Sequence, residues 1–368
     1  MNSNLFSPLQ LRGLTQSNRI VIGPMSQYSA VNGSATDWHM QHIGHLSLSG
    51  AGLFMIEATS VAPEGRVSHG CLGLYSNENE AALKRVVEFC RGFSSMPFGI
   101  QLAHSGRKGS GHAPWEGRGT LQADESPWQV VGPSQIPLTK DWAVPVELDR
   151  EGMERIKRTF VDAALRSDRI GIELVELHAA HGYLLHQFLS PLSNVRTDGY
   201  GGSLERRMRF PLEVVEAVRA AWPADKPLGV RISATDWVDG GFSPEEAVVF
   251  SAELKQIGCD YICVSTGGLD PMARIPVEPG YQLSFASQIK REVDIPTRAA
   301  GLVISAAQAE EIVASGTSDA VVLARAFLDN PRWVWHAAEA LGVTLAYPKQ
   351  YERAHTSKWP GARLIRGN

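Results

Sequence analysis

The sequence predicts a closed (β/α)₈ barrel. Eight short apolar runs recur along the 368-residue chain, each followed by a loop and then a helical pattern. Strands that alternate with helices form parallel sheets, and eight such units favour a closed barrel over an open sheet. We expect a single domain over residues 1–368. A long insertion at about 104–149 would form a lid or capping segment, and 347–368 an aromatic C-terminal tail.

The eight predicted strands share an apolar, β-branched composition, which is typical of strands that are buried on both faces. They lie near residues 19–22, 53–57, 98–102, 172–177, 228–232, 261–264, 297–300 and 320–323.

Three helix starts support the alternation of strands and helices. Ser243 precedes Pro244 and is followed at the third position by Glu246, which is the pattern of a capping box. Ser305 is placed in the same way before another helical pattern. Asp149 is expected to cap a helix that runs to about Ser167.

The composition narrows the class of protein. The net charge is -4, so electrostatics gives no reason to expect nucleic acid or an anionic membrane as a partner. Apolar runs are shorter than a membrane span, and the N-terminus lacks the pattern of a signal peptide. Cys259 and Cys263 flank an apolar strand, which indicates core packing, and reduced cysteines fit a cytoplasmic enzyme.

Polar residues at the strand ends are the candidates for chemistry, because the carboxyl ends of barrel strands form active sites. Gly301 ends the seventh strand and Arg325 follows the eighth, the positions that often bind phosphate. The alternative is a turn glycine and a surface arginine. Gln101 can donate and accept together at a pyrimidine-like ring edge. Arg231 is costly in a barrel strand unless it binds an anion or pairs with Glu57 or Glu176 inside the barrel.

The strand end with the most candidate catalytic side chains is HAAHGYLLHQFLSP, residues 178–191. His178 and His181 could bind a metal with Glu176, hydrogen-bond a polar substrate atom, or be satisfied core histidines. Tyr183 could donate a proton to a carbanion or line the pocket as an aromatic wall. His186 is interpreted as structural.

Taken together, these motifs resemble the Old Yellow Enzyme family, and more narrowly its bacterial thermophilic-like branch, which includes the xenobiotic reductases. The resemblance runs from the N-terminus to about Asn330. It rests on residues 18–29, 101–104, 178–191, 196–198, 200–203 and 231–237.

The resemblance implies a cytoplasmic, FMN-dependent flavoprotein that uses NADPH or NADH as hydride donor and binds no metal. Gln101 and Arg231 would hold the pyrimidine side of the flavin, and Gly301 with Arg325 the phosphate. The full set of implied FMN contacts is Pro24, Met25, Ser26, Ala58, Gln101, Arg231, Gly301, Ala324 and Arg325.

On the substrate side, the resemblance implies that His178 and His181 bind a carbonyl or nitro oxygen, that Tyr28 orients the substrate and that Tyr183 donates a proton. We expect the chain to form a homodimer or a homotetramer. Trp359 of the tail is the candidate to reach a neighbouring subunit's active site.

The implied reaction is reduction of activated C=C bonds in α,β-unsaturated carbonyl or nitro compounds, with hydride delivered in a ping-pong sequence. Two alternatives keep the flavin. One is an enzyme specialised for a dedicated catabolic or biosynthetic substrate, which includes one that runs as a dehydrogenase. The other is a flavin-binding protein without turnover. Ser26 stands where the branch usually has cysteine, and serine forms no thiolate. A shift in redox potential or substrate preference is therefore expected.

Overall fold

The computed structural model describes residues 3–117 and 119–362. Its centre is a closed barrel in which the eight strands pair in parallel with their sequence neighbours, and the last strand pairs with the first. Val21 of the first strand is in register with Val322 of the last. The strands are β1 (Ile20–Ile22), β2 (Leu53–Ser60), β3 (Phe98–Ala103), β4 (Leu174–Ala179), β5 (Leu228–Ser233), β6 (Tyr261–Ser265), β7 (Thr297–Ala299) and β8 (Ala320–Leu323). The predicted (β/α)₈ barrel is confirmed.

Helices surround the barrel and connect its strands. They are α1 (Asp37–Leu46), α2 (Asn77–Arg91), α3 (Arg150–Arg169), α4 (Leu184–Leu189), α5 (Leu204–Ala221), α6 (Pro244–Gln256), α7 (Leu283–Val293), α8 (Ala306–Ala314), α9 (Arg325–Asp329) and α10 (Trp333–Ala340). Among the described residues, no helix combines the length and the apolar character needed to cross a membrane.

The strand boundaries differ from the predicted ones mainly at the carboxyl ends. β2 continues to Ser60, and β4 runs from Leu174 to Ala179 where the sequence predicted 172–177. His178 therefore lies inside its strand and not after it. The composition could not mark this end, because every residue of β4 is buried whether it is polar or apolar.

The predicted helix caps are present. The Ser243 hydroxyl accepts from the Glu246 amide at 3.3 Å, and the Glu246 carboxylate accepts from the Ser243 amide in return. Asp149 accepts from the Gly152 amide at 2.7 Å, and Ser305 accepts from the Gln308 amide at 3.2 Å. These bonds satisfy amides that the first turn of a helix leaves without partners.

The insertion carries little regular structure. Its described residues, 104–117 and 119–149, hold two short 3₁₀ turns, Gly106–Lys108 and Ala123–Glu125, and two paired two-residue strands. Arg107 is buried and donates to the carbonyl oxygen of Leu269 at 3.1 Å and of Ile136 at 3.3 Å. This side chain ties the insertion to the loop after β6.

The tail packs against its own barrel over the part that the structure describes. Tyr347 stacks on Trp335 of α10, with ring centroids 3.9 Å apart, and the guanidinium of Arg332 lies over both Trp335 and Tyr351. Residues 363–368 of the predicted tail lie outside the described residues.

Large polar side chains fill part of the barrel interior. Tyr261 of β6 and Arg298 of β7 are about 1% exposed, and the guanidinium lies 3.7 Å from the centroid of the Tyr261 ring. The neighbouring strand makes room, because a Cβ built on Gly229 would overlap the ring of Tyr261. Glycine is therefore required at 229 for steric reasons.

Replacing Gly229 by alanine should destabilise the barrel, because the added methyl group forces Tyr261 out of its position. Overpacking of this kind costs about 1–3 kcal/mol in the free energy of unfolding. Urea unfolding of Gly229→Ala against Gly92→Ala measures the effect. Gly92 ends α2 with φ of -63°, a conformation that alanine adopts without strain. Equal stability of the two variants would contradict the steric explanation.

Candidate active site

A cavity of about 980 Å³ opens at the carboxyl ends of the strands. Gly301 and Arg325, the predicted phosphate pair, both line it, together with Ala324, Arg231 and His181. Gly301 adopts φ of +103°, which favours glycine because it has no Cβ. Closure of the barrel thus brings residues from β5 and from the segments after β4, β7 and β8 into one concave site.

Arg231 has the features of a group that binds a ligand. Its Nε is buried and has no hydrogen-bond partner within residues 3–117 and 119–362. The sequence left open an ion pair with Glu57 or Glu176, and neither carboxylate contacts it. Glu57 pairs with His39 at 3.3 Å, while Glu176 accepts from Gln101 and Tyr261. The buried donor of Arg231 therefore fits an electronegative atom of a bound ring.

The proton of His178 can be placed from its surroundings. Its Nδ1 accepts from the Ala180 amide at 3.2 Å, so in the neutral ring the proton lies on Nε2. Burial, and then the charge of Arg231, lower the pKa of His178 well below its ordinary value. His178 is therefore a neutral imidazole with an Nε2–H group to donate.

His181 is oriented by β6. Its Nε2 lies 2.7 Å from the hydroxyl of Ser265, which also accepts a long hydrogen bond from Gln282 at 3.4 Å. If the Ser265 hydrogen points to His181, the imidazole carries its proton on Nδ1. Burial, followed by Arg231, lowers the pKa of His181 well below its ordinary value, so this ring is neutral as well.

The turn that separates the histidines from the tyrosine has an unusual backbone. His181 adopts φ of +56° and Gly182 φ of +71°. A Cβ on Gly182 would overlap the carbonyl group of Gly268, so the chain passes there in backbone contact. His186 holds the same turn, since its Nδ1 accepts from the Gly182 amide at 2.9 Å and its Nε2 lies 2.9 Å from Asp236. His186 is structural, as the sequence indicated.

Tyr183 follows this turn and lies beside His178, with ring centroids 4.6 Å apart. Burial raises the pKa of Tyr183 above its ordinary value, so the phenol keeps its proton at neutral pH. The Lys108 ammonium lies 5.6 Å from the centroid of the Tyr183 ring and donates to the carbonyl oxygens of His181 and Gly268. Burial lowers the pKa of Lys108 to about 8.

Ser26 and Tyr28 lie on the loop after β1. Ser26 lines a second, small pocket together with Ala58, Cys71 and Tyr183. The loop is anchored at its centre, where the carboxylate of Glu57 accepts from the Gln27 amide at 2.9 Å. Burial, followed by Cys71 and Glu57, raises the pKa of Tyr28 to about 12.

Some of the predicted site residues line the two cavities: His181, Arg231, Gly301, Ala324 and Arg325 the large one, and Ser26, Ala58 and Tyr183 the small one. Pro24, Met25, Tyr28 and His178 are not among the residues that line either cavity. His178 connects the two sets, because its ring contacts His181 on one side and Tyr183 on the other. Gln101 is buried beside Glu176 and lines neither cavity. Trp359 is 41% exposed on the tail and is not among the residues that line these two cavities in the described part of the chain.

Sequence reasoning missed four residues of the site: Lys108, Trp115, Ser265 and Gln282. Ser265 could have been found as the last residue of β6, by the rule that was applied to the other strands. Lys108 and Trp115 lie in the insertion, where no periodic pattern orients a side chain. Trp115 packs edge-on against Tyr28, with centroids 5.6 Å apart, although its indole is 68% exposed.

Comparison with known proteins agrees with this geometry. Residues 4–343 match the model of the NADH:flavin oxidoreductase / NADH oxidase family. The chain is 42% identical over 355 residues to an NADPH dehydrogenase of Geobacillus thermodenitrificans, covering 96% of this chain and 99% of that protein. It is also 42% identical over 354 residues to an NADPH dehydrogenase of Listeria innocua, with the same two shares.

Solved structures of known reductases are similar to this chain in fold. Morphinone reductase superposes with a TM-score of 0.77 at 28% identity, covering 96% of this chain and 93% of that one. A 2-naphthoyl-CoA reductase complex superposes with a TM-score of 0.82 at 26% identity and covers 92% of this chain, which spans about half of that longer protein, 52%.

The family resemblance of the motifs is thereby confirmed over nearly the whole chain. The chain belongs to the NADH:flavin oxidoreductase / NADH oxidase family, of Old Yellow Enzyme type, and is an FMN-dependent oxidoreductase that uses NAD(P)H.

Proposed function

We propose that this enzyme reduces the activated C=C bond of α,β-unsaturated carbonyl or nitro compounds, with NADPH or NADH as the hydride donor. The observation that carries the proposal is the grouping of two neutral histidines and a protonated tyrosine at one end of the barrel. NADPH is favoured as the donor because the curated relatives at 41–42% identity are named NADPH dehydrogenases.

The cofactor would lie in the large cavity. Gly301, Ala324 and Arg325 would hold its phosphate, and Arg231 would donate to its ring through the Nε that lacks a protein partner. Gln101 would contact the pyrimidine edge. Pro24, Met25, Ser26 and Ala58, on the loop after β1 and on β2, would complete the contacts. Bound FMN supplies the hydride chemistry, taking two electrons from NAD(P)H and passing them to the substrate.

The two histidines would bind the oxygen of the substrate. His178 has an Nε2–H group to donate, and His181 gains an Nδ1–H group if Ser265 donates to its Nε2. Negative charge develops on a carbonyl or nitro oxygen when hydride adds to the β-carbon. Donors that are already in place stabilise that charge without reorganising at the moment of reaction.

Tyr183 would supply the proton at the α-carbon. Its hydroxyl keeps its proton because burial raises its pKa, and the Lys108 ammonium lies beside its ring. A proton held next to the reacting carbon and transferred in the same turnover is general acid catalysis. Tyr28 and the exposed Trp115 would form the outer wall that orients the substrate.

The proposal extends to the organisation of the chain. Residues 1–368 would act as one FMN-binding domain, with 104–149 as a lid that Arg107 and Lys108 attach to the loop after β6. The enzyme would form a homodimer or homotetramer, and Trp359 would contact the active site of a neighbouring subunit.

Tyr183→Phe should separate the two half-reactions. Reduction of the flavin by NADPH should stay within about twofold of the wild type, because it needs no proton from this residue. Reoxidation by cyclohexenone should fall about 100-fold or more, as expected for loss of a general acid. Anaerobic stopped-flow absorbance measures both rates. Tyr75→Phe is the matched control, since the Tyr75 hydroxyl donates to the Asn32 carbonyl and Tyr75 is not among the residues that line the two cavities. Equal loss in both half-reactions would rule out Tyr183 as the acid.

His178→Ala should weaken binding of a phenolic ligand, because the phenolate oxygen loses a donor. A hydrogen bond to a charged group contributes about 1.5–3 kcal/mol, so the Kd should rise about tenfold or more. Titration of the flavin absorbance gives the Kd. His112→Ala is the control, because His112 pairs with Glu125 on the insertion. An unchanged Kd for His178→Ala would contradict the oxygen contact.

The rate of enone reduction should show no inflection near pH 6.5. The pKa values of His178 and His181 are lowered by burial, so both rings stay neutral as the pH falls through the ordinary range of histidine. Protonation and its effect on the rate should appear only at lower pH. Stopped-flow reoxidation from pH 5.5 to 8 measures this profile. An inflection near 6.5 that disappears in His178→Ala would show that this histidine titrates normally.

A further inference from the structure

We infer that Glu176 is a positioning residue that fixes the Gln101 amide as a hydrogen-bond acceptor for FMN and, through its negative charge, sets the redox potential of the bound cofactor. The inference rests on the proposed contact between Gln101 and the pyrimidine edge. It does not depend on the substrate that is reduced.

The orientation of the Gln101 amide follows from its partner. Its Nε2 donates to Glu176 Oε1 at 2.7 Å, and the two residues are in register on β3 and β4. A carboxylate has no hydrogen to give, so only the NH₂ end of the amide can face it. The Oε1 end is left to accept, and the flavin pyrimidine edge carries a single N–H donor between two carbonyl groups.

The second carboxylate oxygen of Glu176, Oε2, accepts a hydrogen bond from a tyrosine in the barrel interior. Tyr261 donates to Glu176 Oε2 at 3.0 Å, and both side chains are about 1% exposed. Burial, followed by the charge of Glu176, raises the pKa of Cys263 to about 12, so this neighbouring thiol keeps its hydrogen. In the described part of the chain, the groups of this network that approach the carboxylate are therefore donors: the Gln101 amide, the Tyr261 hydroxyl and the Cys263 thiol.

A buried negative charge requires compensation. Arg298 is a nearby cation, since its guanidinium lies 3.7 Å from the ring centroid of Tyr261, the residue that binds Glu176. Nε and Nη2 of Arg298 are buried without partners among the described residues. The guanidinium therefore lies against the tyrosine that donates to Glu176, where its positive charge can offset part of the carboxylate's negative charge.

Two glycines leave space for this network in the barrel interior. A Cβ on Gly229 would overlap the Tyr261 ring, and a Cβ on Gly99 would overlap the Met55 sulfur that lies 4.0 Å from Arg298. Gly99 and Gly229 belong to the strands on either side of Glu176. The two strands that flank Glu176 thus have glycine, without a side chain, at the points where Tyr261 and Met55 need space.

The charge would influence FMN because reduction adds negative charge to the flavin. A fixed carboxylate behind Gln101 disfavours the reduced form, and Arg231 favours it. In a low-dielectric interior such interactions are strong. Removing the charge of Glu176 should therefore raise the midpoint potential. Removing the Tyr261 hydroxyl takes away a hydrogen bond that offsets part of the charge of Glu176. It should therefore lower the midpoint potential of FMN.

The test measures the Kd for FMN and the midpoint potential of the bound cofactor for four variants: Glu176→Gln, Tyr261→Phe, Gln101→Leu and Glu173→Gln. Glu173 is the matched control, because it precedes the same strand and binds the Phe98 amide at 2.8 Å. Fluorescence quenching on binding gives the Kd, and dye-coupled reduction gives the potential. Thermal unfolding identifies variants that fail to fold.

Glu176→Gln should raise the FMN Kd about tenfold, the loss of one hydrogen bond, and raise the potential. If only oxidised FMN binds more weakly, and by tenfold, the midpoint potential rises by about 30 mV for a two-electron couple. Tyr261→Phe should move the potential in the opposite direction, and Glu173→Gln should change neither quantity.

Opposite shifts cannot arise from general damage to the barrel. Shifts of the same sign in Glu176→Gln and Tyr261→Phe, or no shift in either, would overturn the inference. If Gln101→Leu leaves the FMN Kd unchanged, the proposed Gln101 contact fails instead. If Glu176→Gln does not fold, the sign of the shift in Tyr261→Phe decides, because an unchanged or raised potential contradicts the charge effect.

Discussion

Closure of the barrel is the constraint on which the rest of the structure depends. The pairing of Val21 with Val322 joins the last strand to the first, so all eight parallel strands end at one mouth. Residues far apart in sequence, such as His181, Arg231 and Arg325, line one cavity for this reason. An open sheet with the same strands would keep its first and last strand ends far apart.

The site adds two local constraints to that closure. The left-handed pair at His181 and Gly182 turns the chain sharply after β4, and contact with Gly268 leaves no space for a side chain there. The buried His186 holds the turn, because it accepts a hydrogen bond from the Gly182 amide and its Nε2 lies 2.9 Å from the carboxylate of Asp236. Strain of this kind persists where surrounding contacts determine it, and here it separates the two histidines from Tyr183.

Much of this could be predicted from sequence, for physical reasons that differ between elements. Buried parallel strands consist of apolar runs, and the caps at Ser243, Asp149 and Ser305 are local hydrogen bonds, so both leave a signal in neighbouring residues. That Glu176 binds Gln101 and Tyr261, and not Arg231, could not be predicted. Which carboxylate lies near which cation inside a barrel depends on register and tilt, and no local pattern records these.

The sequence by itself determined the barrel, the order of its strands and the residue types at their carboxyl ends, because each follows from short-range composition and hydrogen bonding. Only the tertiary structure decided that Gln101 faces Glu176, that Trp115 packs on Tyr28 and that Ser265 contacts His181. These are contacts between distant segments, fixed when the closed barrel and its insertion pack together.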